Sequence, residues 1–86
     1  MHIFKDIVNE AITAKEFGKG INVNFQFGNS SGILVTIIPE DIEYDDEILN
    51  IYMSGDVMSI HAKDVTKYED GIGYICGEDT VISFDD

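Results

Sequence analysis

Along the first seventeen positions, apolar residues recur at 3, 4, 7, 8, 11, 12 and 14, while Lys5, Asp6, Asn9, Glu10, Thr13 and Glu16 hold the remaining positions. This is the spacing of one helical face, and it predicts an amphipathic helix over 3–17 with Ile7, Val8, Ala11 and Ile12 in the core. Gly18 and Gly20 flank Lys19, where a left-handed stop and a dipole-favoured cation both fit. From Ile21 the period changes to two: Ile21, Val23, Phe25 and Phe27 alternate with Asn22, Asn24 and Gln26, as in a half-buried strand.

The turn cluster GNSSG (28–32) leads to ILVTII (33–38), apolar at nearly every position until Pro39 ends it, so 21–38 reads as a hairpin. A second hairpin is expected from ILNIYM (48–53) and VMSIHA (57–62) across a short turn at Ser54 to Asp56. It sets Leu49, Ile51 and Met53 against Met58, Ile60 and Ala62. A third joins GIGYIC (71–76) to TVISF (80–84) through Gly77-Glu78-Asp79. One helix and about six short antiparallel strands predict an α+β fold, a roll or small barrel with the helix on one face or one open end.

No internal repeat or linker divides the 86 residues, so 1–86 is expected to be one domain. The element order over 3–68 resembles that of Sm-like small barrels, which also open with a helix followed by a bent antiparallel meander. The basic, glycine-containing loop with which that family contacts RNA has no counterpart in SIHAKDV (59–65) or elsewhere in this arginine-free chain. The resemblance therefore implies a fold and no RNA binding.

Charge changes the picture more than composition does. Apolar content of 44%, with five Phe and four Tyr, is enough for a packed core, so the net charge of −12 does not force disorder. Residues 1–39 carry three acids and three lysines, and residues 40–86 carry fourteen acids against Lys63 and Lys67, so the second half holds the whole excess. Direct binding to nucleic acid or to an anionic membrane is disfavoured, because both need Lys and Arg to neutralise phosphate. The N-terminal charges and the absence of a long apolar run argue for a cytoplasmic protein, and the lone Cys76 excludes an internal disulfide.

Catalytic and metal-binding patterns are sparse. His2, His61 and Cys76 lack the local spacing of a zinc site. Ser59, His61 and Asp64 share one short segment and cannot surround a substrate as a triad does. GIGYICG opens with GxG but continues into a strand rather than the helix that a phosphate loop needs, so Gly71, Gly73 and Gly77 read as turn or bulge positions. No cofactor is expected, and the expectation is a non-enzymatic protein.

The concentrated feature is PEDIEYDDE (39–47), with six carboxylates in nine positions. It lacks the glycine and the register of a calcium loop, and a solvated crossing between strands accounts for it without function. Acids nevertheless continue at Asp56, Asp64, Glu69, Asp70, Glu78, Asp79, Asp85 and Asp86, mostly in turns that alternating strands would gather on one rim. Same-face strand residues repeat every ~6.6 Å against one duplex charge per ~1.7 Å, so only several loops together could imitate DNA.

The expected partner is accordingly a basic protein surface, potentially that of a nucleic-acid-binding protein inhibited by mimicry. The candidate contact residues are Glu40, Asp41, Glu43, Tyr44, Asp45, Asp46, Glu47, Glu69, Asp70, Glu78 and Asp79. Tyr52, Tyr68 and Tyr74 would add amphipathic area nearby. Three alternatives stay open: a small domain that oligomerises through exposed strand edges, a weak divalent-cation binder, and an enzyme, which would need a deep pocket with convergent polar groups.

Overall fold

The computed structural model describes residues 3–27 and 31–84. His2, the tip of the GNSSG turn, Asp85 and Asp86 lie outside the described residues.

The helix α1 spans Ile3–Phe17, as the periodicity predicts. It ends as the glycine anticipates: Gly18 sits at φ +65°, the Lys19 N–H donates to the Ala14 carbonyl at 2.8 Å, and Gly18 N–H donates to that of Lys15 at 3.4 Å. This paired closure satisfies carbonyls that a helix end leaves free. Ile7, Val8, Ala11 and Ala14 are buried, whereas Ile12 is only half-buried. Ile12 packs against the edge of the core, and Ala14 joins Ile7, Val8 and Ala11 inside it.

Eight strands follow: β1 (Ile21–Phe27), β2 (Ser31–Ile37), β3 (Asp41–Tyr44), β4 (Ile48–Met53), β5 (Asp56–His61), β6 (Val65–Glu69), β7 (Gly73–Cys76) and β8 (Thr80–Phe84). They form a five-stranded sheet in the order β2-β1-β8-β7-β6 and a three-stranded sheet β3-β4-β5, with every pairing antiparallel. Strands adjacent in sequence are neighbours throughout, except at β2/β3 and β5/β6, and β1 pairs β8 to join the beginning of the meander to its end. The α+β roll stands. The small barrel does not: the two interruptions leave it open, with β2, β3, β5 and β6 as edges.

The two strands beyond the expected six have distinct reasons for escaping a periodic reading. In β3 only Ile42 turns toward the core, opposite Ile51, so its alternation is one residue deep among carboxylates. In β6 the register with β7 shifts between Val65 and Lys67, and the extra residue at Thr66 breaks the period of two. The segment 41–44 is thus a paired strand rather than a solvated crossing. The β4–β5 register is Leu49 to Ile60 and Ile51 to Met58, and Ser54 (φ +44°) and Gly55 (φ +81°) form the two-residue turn that suits a twisted hairpin.

The core is one cluster. Ile21 and Val23 of β1, Ile82 of β8, and Tyr74 and Cys76 of β7 face Leu49 and Ile51 of β4, Ile60 of β5, and the helix. Gly73 (φ +134°) lies against β8 so closely that a β-carbon there would stand 2.5 Å from the Ile82 carbonyl oxygen. Tyr74 reaches past the core to donate its hydroxyl to the Glu10 carboxylate, fastening β7 to α1. Burial and the Glu10 carboxylate push that phenol far above its ordinary range.

Candidate functional site

The carboxylates of 40–47 have different local duties. Asp45 is spent on structure: its Oδ1 accepts from the backbone N–H groups of Glu47 at 2.8 Å and Ile48 at 3.0 Å, while its own N–H donates to the Ile48 carbonyl. Those two donors hold its carboxyl below the usual carboxylate range. Asp41 and Glu43 point to the outer face of β3. Asp41 lies 3.9 Å from the Lys15 ammonium, and Glu43 accepts the Tyr52 hydroxyl at 2.7 Å, which raises the tyrosine pKa. Glu40 is exposed and its N–H pairs with the Tyr52 carbonyl. Asp46 and Glu47 extend into solvent at the turn.

Two backbone hydrogen bonds decide what stands beside this turn. A single-turn 3-10 helix, Ala62–Asp64, follows β5, and its Ala62 N–H donates to the Glu47 carbonyl at 2.8 Å. At its other end the Asp64 carbonyl accepts from Gly77 N–H, also at 2.8 Å, in the turn between β7 and β8. The β3–β4 turn (Asp45, Asp46, Glu47) and the β7–β8 turn (Glu78, Asp79) are therefore tied to the same three residues, with Asp64 between them. Six acids lie on the three segments that these bonds join.

The remaining candidates lie elsewhere. Glu69 and Asp70 belong to the β6–β7 turn, and consecutive turns of an antiparallel meander fall at opposite ends of the shared strand. Four-residue β7 separates the end of that turn from Gly77 by roughly 14 Å at ~3.4 Å per residue. Glu69 pairs with Lys67 at 2.5 Å, and Asp70 borders a cleft shared with Glu10, Tyr68 and Tyr74. Glu40 and Asp41 stand at the far end of β3. Among the described residues the acids do not form a single rim; they divide between the 3-10 turn and other turns.

The acidic end adjoins several depressions, one of about 460 Å³ lined by Glu47, His61, Ala62 and Lys63, and two others. One, of about 760 Å³, lies between α1, the β3–β4 turn and the 3-10 helix; Phe4, Val8, Tyr44 and Val65 line it with Lys5, Lys63, Asp45 and Asp46. The other, of about 310 Å³, is lined by Phe25, Met58, His61, Asp64, Glu78 and Asp79, among others. Among the described residues no group of three or more His, Cys, Asp or Glu side chains is arranged to hold a metal ion. Ser59 donates to Asn50 at 2.6 Å on the exposed face of the three-stranded sheet, and Cys76 is buried on β7 with its thiol pushed up to about 11, chiefly by burial. Both line the smaller depression together with His61 and Asp64.

Sequence reasoning counted Asp64 among the rim acids but not among the candidate contacts, and it missed the 3-10 turn. The ties are made by backbone groups of Ala62 and Asp64, which leave no mark in side-chain identity. No family model, no curated protein and no solved structure matches this chain. No helix among the described residues is long and apolar enough to cross a membrane.

Proposed function

We propose that this chain is a non-enzymatic binding protein whose acidic end, around the Ala62–Asp64 turn, engages a basic protein surface. The observation that carries the reading is the pair of hydrogen bonds from Ala62 and Gly77, which fasten two acidic turns to one short element. Charges held by a fixed backbone lose little freedom when a partner docks, and a surface of one sign steers a charged encounter. Among the described residues the ion pairs are Lys15 with Asp41 and Lys67 with Glu69, so Asp46, Glu47, Glu78 and Asp79 are in none of them, and Lys63 of the 3-10 turn and Lys5 are the cations beside this end. The narrower form of the reading is that the basic surface belongs to a nucleic-acid-binding protein, whose groove this end would occupy.

The test is capture of partners from host lysate at low and high salt, followed by affinity measurements on the recovered protein. Combining Asp46→Asn, Glu47→Gln, Glu78→Gln and Asp79→Asn, with Asp45 retained to keep the turn, should slow association and flatten the salt dependence. The pair Glu69→Gln and Asp70→Asn, at the other end of β7, should change neither. Equal salt slopes for wild type and the fourfold variant would sink the reading. Competition of DNA or RNA for the recovered partner tests the narrower form.

A further inference from the structure

The cleft at the other end of β7 from the 3-10 turn has a chemistry of its own. It encloses about 400 Å³, and Tyr68, Tyr74 and Phe84 line it together. The three rings form one packed wall: Tyr68 and Tyr74 have centroids 4.8 Å apart at a tilt of 54°, and Phe84 meets Tyr74 edge-on at 6.0 Å and 83°. Tyr74 is 5% exposed and Tyr68 is 50% exposed, so Tyr68 is the ring that a ligand in the cleft can cover.

Two carboxylates border this wall, and both have open acceptors. Glu10 gives one oxygen, Oε2, to the Tyr74 hydroxyl, and among the described residues its Oε1 has no hydrogen-bond partner. Asp70 is exposed and, among the described residues, is in neither a hydrogen bond nor an ion pair. No lysine or histidine is among the described lining residues, and Lys67 of the adjoining strand is held by Glu69. The local field is accordingly negative: after burial, it is the carboxylates of Glu10 and Asp6 that push the Tyr74 phenol upward.

Open acceptors beside an aromatic wall suit a cation with both N–H donors and a flat face. A quaternary ammonium would satisfy the rings and leave the carboxylate oxygens unpaired, and a primary ammonium is a compact, strongly hydrated point charge. A guanidinium meets both demands, since it stacks on a ring and offers paired N–H groups to a carboxylate. The chain contains no arginine, so that group has to come from another molecule. Ile72, 53% exposed and in the same lining, offers apolar surface to a short alkyl chain, whereas a ligand with its own carboxylate would find no cation to meet it. We infer that this cleft binds a small alkylguanidinium compound that lacks a carboxylate, with its planar head against Tyr68 and paired with Glu10 and Asp70, and its methylene chain against Ile72. The site is separate from the acidic end, so either proposal can fail while the other stands.

Agmatine is the probe. An NMR titration at about 0.15 M salt, where charges more than ~8 Å apart are largely screened, should saturate at a single site with amide shifts concentrated at Asp70, Gly71, Ile72 and Ser83. Asp70→Asn breaks no hydrogen bond among the described residues and should weaken agmatine about tenfold or more, the worth of a hydrogen bond to a charged group. Tyr68→Leu should weaken it about threefold or more, with the melting curve showing that the fold persists. Glu16→Gln combined with Glu40→Gln removes two exposed charges outside the cleft and should leave the affinity unchanged. L-Arginine and tetramethylammonium should both bind less tightly than agmatine, the first for its carboxylate and the second for its lack of N–H groups. A titration that does not saturate, Asp70→Asn without effect, or tetramethylammonium binding as tightly as agmatine would each overturn the proposal. So would an equal loss in the Glu16/Glu40 variant, which would show only diffuse attraction to a chain of net charge −12.

Discussion

The approach of β7 to β8 at Gly73 makes a quantitative prediction about Gly73→Ala. A β-carbon at this position falls 2.5 Å from the Ile82 carbonyl oxygen, about 0.9 Å short of ordinary contact, and 3.1 Å from both the Ile82 carbonyl carbon and the Ser83 β-carbon. The nearest obstacles are backbone atoms of a strand held on its other side by β1, so they cannot swing away as a side-chain end could. Relieving such an overlap costs about 1–3 kcal/mol, and holding alanine at φ +134° costs on the order of 1–3 kcal/mol more. The expected loss is about 2–6 kcal/mol, a large part of the roughly 5–15 kcal/mol that keeps a domain folded. At about 4–8 °C per kcal/mol for a domain of this size, melting should drop by about 10 °C or more. Gly71→Ala is the internal control: it too has a positive φ (+80°), but nothing lies within 4 Å of the added carbon. It should cost only about 1–2 kcal/mol for the left-handed backbone. Urea denaturation of both variants decides the matter, and a Gly73→Ala loss no larger than that of Gly71→Ala would refute the close approach as the cause.

Three further outcomes follow from burial and titration. Ile7→Ala should cost about 2–5 kcal/mol in denaturant unfolding, and Ile12→Ala closer to ~1 kcal/mol, because the first is sealed under the sheets and the second only half-covered. Asp45, whose pKa is lowered by the Glu47 and Ile48 amides, contributes stability that is present above its unfolded pKa and lost as pH falls through its lower folded value. The melting-temperature gap between wild type and Asp45→Asn should therefore narrow as the solution is acidified below about pH 4. Cys76 has the opposite sense: with its thiol raised to about 11, it favours the folded state less and less as pH climbs from its unfolded value toward 11, so Cys76→Ser should flatten the alkaline limb of a stability profile. Native protein should also react with a thiol reagent only at the rate of its opening.

Periodicity was a sound guide wherever one face of an element is buried over several turns or pleats. The helix from Ile3 to Phe17, the alternating Ile21-Val23-Phe25 strand and the Leu49/Ile60 hairpin all follow from spacing alone. It failed where pairing is sustained by backbone groups with little side-chain burial. DIEY offers one core residue, and VTKYE is interrupted by a bulge, so neither presents a period to read. The acidic residues were individually obvious, but their grouping was not. The rim expectation treated all turns as equivalent, whereas β7 sends Glu69-Asp70 and Glu78-Asp79 to opposite ends. The Ala62 and Gly77 hydrogen bonds then tie the turn of the second pair and that of Asp46 and Glu47 to the two ends of one 3-10 turn. The exposure of Ile33, Leu34 and Val35 was equally hidden, since a run of apolar residues reads as interior until the neighbours that fail to cover it are known.

The pairing of β1 with β8 bears on how the chain comes off the ribosome. Ile21 meets Phe84 and Phe25 meets Thr80, so β1, an inner strand of the larger sheet, waits for a partner made some sixty residues later. During that interval a nascent chain holds the β1–β2 hairpin with both its edges bare, one of them destined for β8. Nothing local can substitute, because loop closure over this separation must precede any gain from the contact. Early folding should therefore concentrate in the β3–β4–β5 unit, whose pairings are all short-range. The larger sheet should appear late and all at once, with the exposed hairpin as the species that chaperones would meet.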